Sequence, residues 1–219
     1  MRLAHPPSLA QSLALDGKLL SIVGDNATLH ERAVQLIALA TEQGYRHWRA
    51  EGTMLRGWVK VKNGDVIEGI SILRTGWTAY GATAGAWRTH YIALLAETYE
   101  IAGQVETAAT LFDEALQITE RTGARWLEAE LNRHKGELLL RQGHSEAAGE
   151  LYHKALSIAQ EQEAKLWELR AAVSLASLRR DQGRRAEACD FLAPVYGWFT
   201  EGFDTPDLKE ARTLLEELG

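Results

Sequence analysis

Cysteine is almost absent. Cys189 is the only one in 219 residues, so no intramolecular disulfide can form and a Cys-rich structural zinc site is excluded. The chain also has no Gly-x-Ser-x-Gly, His-Glu-x-x-His or Cys-x-x-Cys motif, which removes the usual signatures of a hydrolase elbow, a zinc protease and a redox dithiol. Residues 64–71 have the glycine spacing of a phosphate-binding loop, but Ile70 stands where that loop needs its lysine, so no ATPase activity is expected. Long apolar runs are missing: no segment approaches the ~20 apolar residues of a membrane-spanning helix, and the opening MRLAHPPSLAQSLALDGKLL lacks the apolar stretch of a secretory leader. Positive charge is the minority sign, 24 basic against 30 acidic residues for a net charge of -6, which disfavours nonspecific attraction to nucleic acid or to an anionic membrane. These absences together suggest a soluble cytoplasmic chain with no nucleic-acid or membrane partner, no cofactor and no catalytic residues.

Helical periodicity is abundant. In residues 126–165, Leu127, Leu131, Leu138, Leu139 and Leu140 fall in one segment and Ala147, Ala148, Leu151, Tyr152, Ala155, Leu156 and Ile158 in the next, each spaced for one face of a helix. Gly143 lies between them, where a residue of positive φ would close the first helix, and Ser145 can start the second. Gly24, Gly64, Gly103, Gly143 and Gly183 repeat this turn at intervals of 40, 39, 40 and 40 residues, and Trp48, Trp87, Trp126 and Trp167 keep nearly the same spacing. A lone hairpin cannot bury its apolar face, so a period of this size means stacked hairpins. The tryptophans at the heads of first helices are then expected to pack between hairpins.

Counted from the turn glycine, Gly136, Gly143, Ala148, Tyr152, Ala155 and Leu156 fall at small, turn, small, aromatic, small and large positions, and Ala96, Gly103, Ala108, Phe112, Ala115 and Leu116 do so one unit earlier. This pattern resembles the tetratricopeptide repeat. Gly57, Gly64, Gly69, Leu73 and Gly76 form a weaker copy, Ala176, Gly183, Ala188 and Leu192 another, and Gly17 and Gly24 only a trace. The family's period is 34 residues, and the proline that ends its second helix is replaced here by Glu120 and Gln160, so second helices should run on by about one and a half turns. The run from Tyr196 to Ala211 is similar to the C-terminal end of the elongated repeat regions of large bacterial signal-transduction ATPases that carry nucleotide cyclase or transcription-activation domains.

The resemblance implies an all-α, right-handed α-α superhelix. We expect one domain, 1–219, with hairpins at about 7–44, 46–82, 83–123, 124–163 and 165–200 and a capping helix at 205–218. Val59, Val61, Val66, Ile67, Ile70 and Ile72 favour strands around the Asn63-Gly64 turn, and the repeat register is expected to override them. The glycine-rich stretch 81–85 is expected to be mobile. Thr205, Pro206 and Asp207 read as a helix start, with a hydroxyl cap, proline at the first position and an acid at the positive dipole end.

Extrapolating the family's concave positions, the resemblance implies a groove formed by Trp58 and Lys62, His90, Glu97 and Glu100, Glu130, Arg133, His134, Glu137 and Arg141, and Arg170, Ser174, Ser177 and Arg180. Trp58 is expected to be an exposed anchor. His134, Glu137 and Glu130, with His90 and Glu97 one repeat earlier, also suggest metal ligands, but first helices that diverge on their concave side would not bring them to metal-bond distance, so no metal is expected. Arg179, Arg180, Arg184 and Arg185 read as a solvated turn diluted by Asp181, Glu187 and Asp190. The function implied is non-catalytic binding of a peptide or protein, with homodimerisation left open. The alternative is a domain that senses a small molecule and shifts a neighbouring regulatory module.

Overall fold

The computed structural model describes residues 5–81 and 87–219; the expected mobile stretch lies, except for Gly81, outside them. The described residues form eleven α-helices and one short 3-10 turn, with no strand. They are α1 (Pro6–Val23), α2 (Asn26–Glu42), α3 (Arg46–Lys62), α4 (Val66–Tyr80), α5 (Arg88–Ile101), α6 (Val105–Thr122), α7 (Glu128–Arg141), preceded by the 3-10 turn Arg125–Leu127, α8 (Ser145–Glu161), α9 (Lys165–Asp181), α10 (Arg185–Tyr196) and α11 (Pro206–Leu218). Each odd-numbered helix up to α9 is followed by its even-numbered partner across a turn glycine. At Gly143, φ is 85°, a left-handed conformation that a side chain disfavours; His144 N–H then donates to Leu139 O at 2.9 Å. The second helices α6 and α8 have 18 and 17 residues, as the missing proline predicts, whereas α10 has 12 and carries Pro194 near its end.

The chain divides into two compact units, residues 1–111 and 112–219, with the division inside α6. In the first unit, α3 and α4 replace the strands that β-branched propensity favours. Val59 and Val61 are buried on α3, and three glycines let the two helices pack backbone against backbone. A Cβ on Gly57 would lie 2.7 Å from the Leu73 backbone nitrogen, and one on Gly69 2.8 Å from the Gly57 carbonyl oxygen. Packing at this range outweighs an intrinsic preference of a few tenths of a kcal/mol per residue. Gly57→Ala or Gly69→Ala should therefore cost on the order of 1–3 kcal/mol, despite alanine's better helix propensity. Urea unfolding checks this, and a neutral or stabilising effect would show that the helices can move apart freely.

In the second unit, α7 to α11 share one core. Ala148, Tyr152 and Leu156 of α8, Leu169, Ala172, Leu175 and Ala176 of α9 and Ala188 and Leu192 of α10 are buried together with Leu208, Ala211, Leu214 and Leu218 of α11. The last helix thus covers the fifth hairpin. Tyr196 and Phe203 meet at its joint with ring centroids 5.9 Å apart. Thr205 occupies the N-cap position, but its hydroxyl donates to Gly202 O at 2.7 Å and makes no capping bond to the helix. Asp25, by contrast, caps α2 by accepting from Thr28 N–H at 3.1 Å.

Candidate functional site

The first helices carry the polar rows. In the first unit the row runs over α1, α3 and α5 and is mostly buried. Lys18 Nζ lies 2.9 Å from Glu51 Oε1, with the two side chains 3% and 2% exposed. The ammonium also sits 5.1 Å from the Trp87 ring centroid and 5.9 Å from that of Tyr91, an aromatic setting that favours a cation. His47 Nε2 approaches the same Glu51 oxygen at 3.6 Å. Ser21 Oγ donates to Lys18 O at 2.7 Å and lies 3.1 Å from His90 Nε2. Burial and the neighbouring Lys18 charge push His90 down to about 3, so the imidazole is neutral in the fold. Burial and the Glu51 charge lift the Tyr80 hydroxyl to about 12.

Trp58 is not an exposed anchor: it is 3% exposed and belongs to the core of the unit, where its large ring fills the space beside Leu55 and Val59. The exposed Lys62 lies over it, with Nζ 5.0 Å from the ring. Glu97 is half-buried and Glu100 buried. Glu51 and Lys18 were not in the extrapolated groove, yet the repeat register contains them. Glu51 precedes Gly64 by the same thirteen residues that separate His90, Glu130 and Arg170 from their turn glycines, and Lys18 precedes Gly24 as Glu137 precedes Gly143.

In the second unit the row spans α7, α9 and α11. Arg133 donates from Nε to Glu130 Oε2 at 2.7 Å and from Nη2 to Glu130 Oε1 at 2.8 Å, and its Nη1 pairs with Glu137. His134 stands between the two acids, Nε2 at 3.5 Å from Glu130 Oε1 and Nδ1 at 3.3 Å from Glu137 Oε2, and stacks on Phe112. Arg170 reaches Glu130 Oε1 at 3.0 Å and grips Asp207 with two bonds of 2.6 and 3.0 Å. Arg180 donates to Glu217 at 2.6 Å and to Asp181 at 2.9 Å. Ser174 and Ser177 are half-buried between these two arginines, and Arg141 is exposed at the end of α7. The structure therefore brings Glu130, Arg133, His134, Glu137 and Arg170 into one network. The adjacent turn is ion-paired too, Arg184 with Glu187.

Burial alone would raise Glu130 and Glu137. For Glu130 it is outweighed by the Arg133 charge, bonds to His134 and Arg133 and the Arg170 charge, which hold the carboxyl well below its usual range. For Glu137 it is outweighed by the Arg133 charge and by His134, which bring it down to about 2. A carboxyl whose folded pKa is depressed contributes stability above its unfolded value, 4.5 here, and loses it as pH falls through the folded one. His90 acts in the same direction, because the unfolded imidazole takes up a proton near 6.5 and the folded one only near 3. The melting temperature should therefore fall from about pH 6.5 downward and fall more steeply below 4.5. His90→Gln should flatten the upper part and Glu137→Gln the lower, as thermal melts across pH 3–8 would show; a flat wild-type profile would contradict the assignment.

A separate polar cleft of about 550 Å³ opens beside the end of α6, α7 and α8, lined by Asp113, Gln117, Glu120, Arg125, Lys135 and Lys154 among others. Lys135 is paired there with Asp113.

No protein-family model and no curated protein matches the sequence. Solved structures do match. The fold is similar to the nearly identical TPR-like repeats of a Podosopora anserina protein, with a TM-score of 0.59 and 20% identity over 90% of this chain and 96% of that one. The fold is TPR-like. A second TPR-like match is a signal transduction ATPase with numerous domains, with a tetratricopeptide repeat sensor, from Pyrococcus horikoshii: TM-score 0.69, 15% identity, 97% of this chain and 33% of that one. A third is a Rap protein complexed with competence and sporulation factor, TM-score 0.66 at 12% identity, over 99% of this chain and 65% of that one. The all-α repeat reading of the sequence is thus correct, and the strand-favouring segment at 59–72 is part of a TPR-like hairpin.

Proposed function

We propose that this TPR-like chain, working as one domain, is a non-catalytic scaffold that binds a peptide or protein along the face of its first helices. The observation that carries this reading is the α7–α9 row, a mixed-charge surface whose arginines are held in fixed geometry by acidic neighbours before any partner arrives. Preorganised polar groups lower the ordering cost of binding and favour a charged segment of one polarity. Support also comes from the Rap protein of similar fold, which is described in complex with competence and sporulation factor.

The geometry changes which substitutions can test this. Arg133→Ala would take from the buried Glu130 one of its two arginines, leaving Arg170 alone, and so would weaken the network as well as alter the groove and would not separate binding from stability. Ser174 and Ser177 are half-buried and lie between Arg170 and Arg180 on α9. Bulky Ser174→Tyr and Ser177→Tyr changes should block the row with little loss of stability. Affinity capture followed by mass spectrometry should recover a partner with the wild type and lose it with the tyrosine pair. Equal capture by both would move the site off this row.

The polar cleft beside α6, α7 and α8 favours a second reading, a regulatory domain that senses a small molecule; the Pyrococcus horikoshii protein of similar fold is described as having a tetratricopeptide repeat sensor. A sensor should melt higher with a metabolite, whereas a scaffold should respond only to peptide or protein.

A further inference from the structure

The C-terminal helix pairs with α9 in register. Asp207 and Glu217 are ten residues apart, as are Arg170 and Arg180, and each acid meets the arginine at its own end of the helix. The two helices therefore run parallel, the ion pairs lying about 15 Å apart along the axis at 1.5 Å per residue. Between the pairs, Leu208, Ala211 and Leu214 face the apolar surface of α9 and α10. The segment that joins α11 to α10 is exposed at residues 200–204, Phe203 among them at 40%, while Tyr196 and Phe199 before it pack against the core.

We propose that the face formed by α9 and α10 is a docking site for an acidic amphipathic helix, filled in cis by α11 and opened to a partner helix of the same pattern when α11 leaves. The pattern is chemical: two carboxylates ten residues apart, with small or branched apolar residues between them on the adjoining face. Asp207 sits one residue before Leu208, so a matching partner presents its first acid at the edge of its apolar stripe. The ionic rim sets register and direction, and the apolar floor supplies affinity. Because Arg170 and Arg180 also belong to the first-helix row, the inference rests on that row as a binding surface, but it names a helix at the end of the array rather than a peptide along it.

The test uses the full chain and a fluorescently labelled peptide of residues 205–219. Wild-type protein should bind the peptide weakly, since its own helix competes. Asp207→Arg with Glu217→Arg repels the resident helix, and peptide affinity should rise at least about ten-fold, equivalent to 1.4 kcal/mol. Adding Arg170→Glu and Arg180→Glu should abolish binding of the same peptide while restoring the pairs in cis. A helical, soluble Asp207→Arg/Glu217→Arg chain that binds no better than wild type overturns the proposal. Hydrogen exchange on the wild type gives a second check that needs no variant: amides of α11 should exchange ahead of those of α9 and α10. Exchange of α11 only together with them also overturns it. Neither result touches the tyrosine-pair capture experiment, which judges the groove separately.

Discussion

Lys18→Met should destabilise the first unit by about 3–5 kcal/mol, the range for breaking a buried ion pair by removing one partner. Methionine replaces the volume of the lysine stem, so the loss is electrostatic and not a cavity effect. What remains is the carboxylate of Glu51, shut off from water on α3 and deprived of its cation. Replacing both partners, Lys18→Met with Glu51→Leu, should recover most of the loss, because apolar residues of similar size often match a buried pair in stability. Urea unfolding of the two variants and the wild type measures the difference. A single variant within 1 kcal/mol of wild type would mean that His47, 3.6 Å from Glu51, or entering water takes over the role of the lysine.

Deleting residues 205–219 should have an effect of similar size in the second unit, by another route. Leu208, Ala211, Leu214 and Leu218 would no longer cover the fifth hairpin, and uncovering several hundred Å² at about 25 cal/mol per Å² means several kcal/mol, comparable with the whole stability of a domain. Arg170 would also lose the carboxylate that it grips with two bonds. The shortened chain should aggregate or self-associate through the bared apolar face, as light scattering on a sizing column would show. A monomer with an unchanged melting temperature would make α11 an energetically neutral arm.

The repeat register explains how much was legible in the sequence. Turn glycines and small residues at fixed offsets pointed to an all-helical repeat, and they did so even at Val59–Ile72, where local propensity pointed elsewhere, because close backbone approach at Gly57 and Gly69 depends on residue size. The site was less legible. Trp58 was misplaced because position alone does not say whether an indole at the edge of a row points outward or into the core. Lys18 escaped notice because the first hairpin keeps only a trace of the pattern, and its partner, Glu51, lies in the next hairpin. The contacts of Arg170 and Arg180 with α11 depend on how a helix outside the repeat docks, and no spacing within the repeat encodes that.

The signs along one row in the second unit alternate: Glu130 on α7, Arg170 on α9, Asp207 on α11. Hairpins that resemble one another so closely could stack in the wrong order during folding, or onto the same hairpin of another molecule, a common failure of repeat proteins. Alternation gives each hairpin an address. A copy of α9 laid against α9 would oppose Arg170 to Arg170 and would leave both without the acids that they meet on α7 and α11, which disfavours that pairing. The row that holds the second unit together thereby also penalises stacking α9 on a copy of itself.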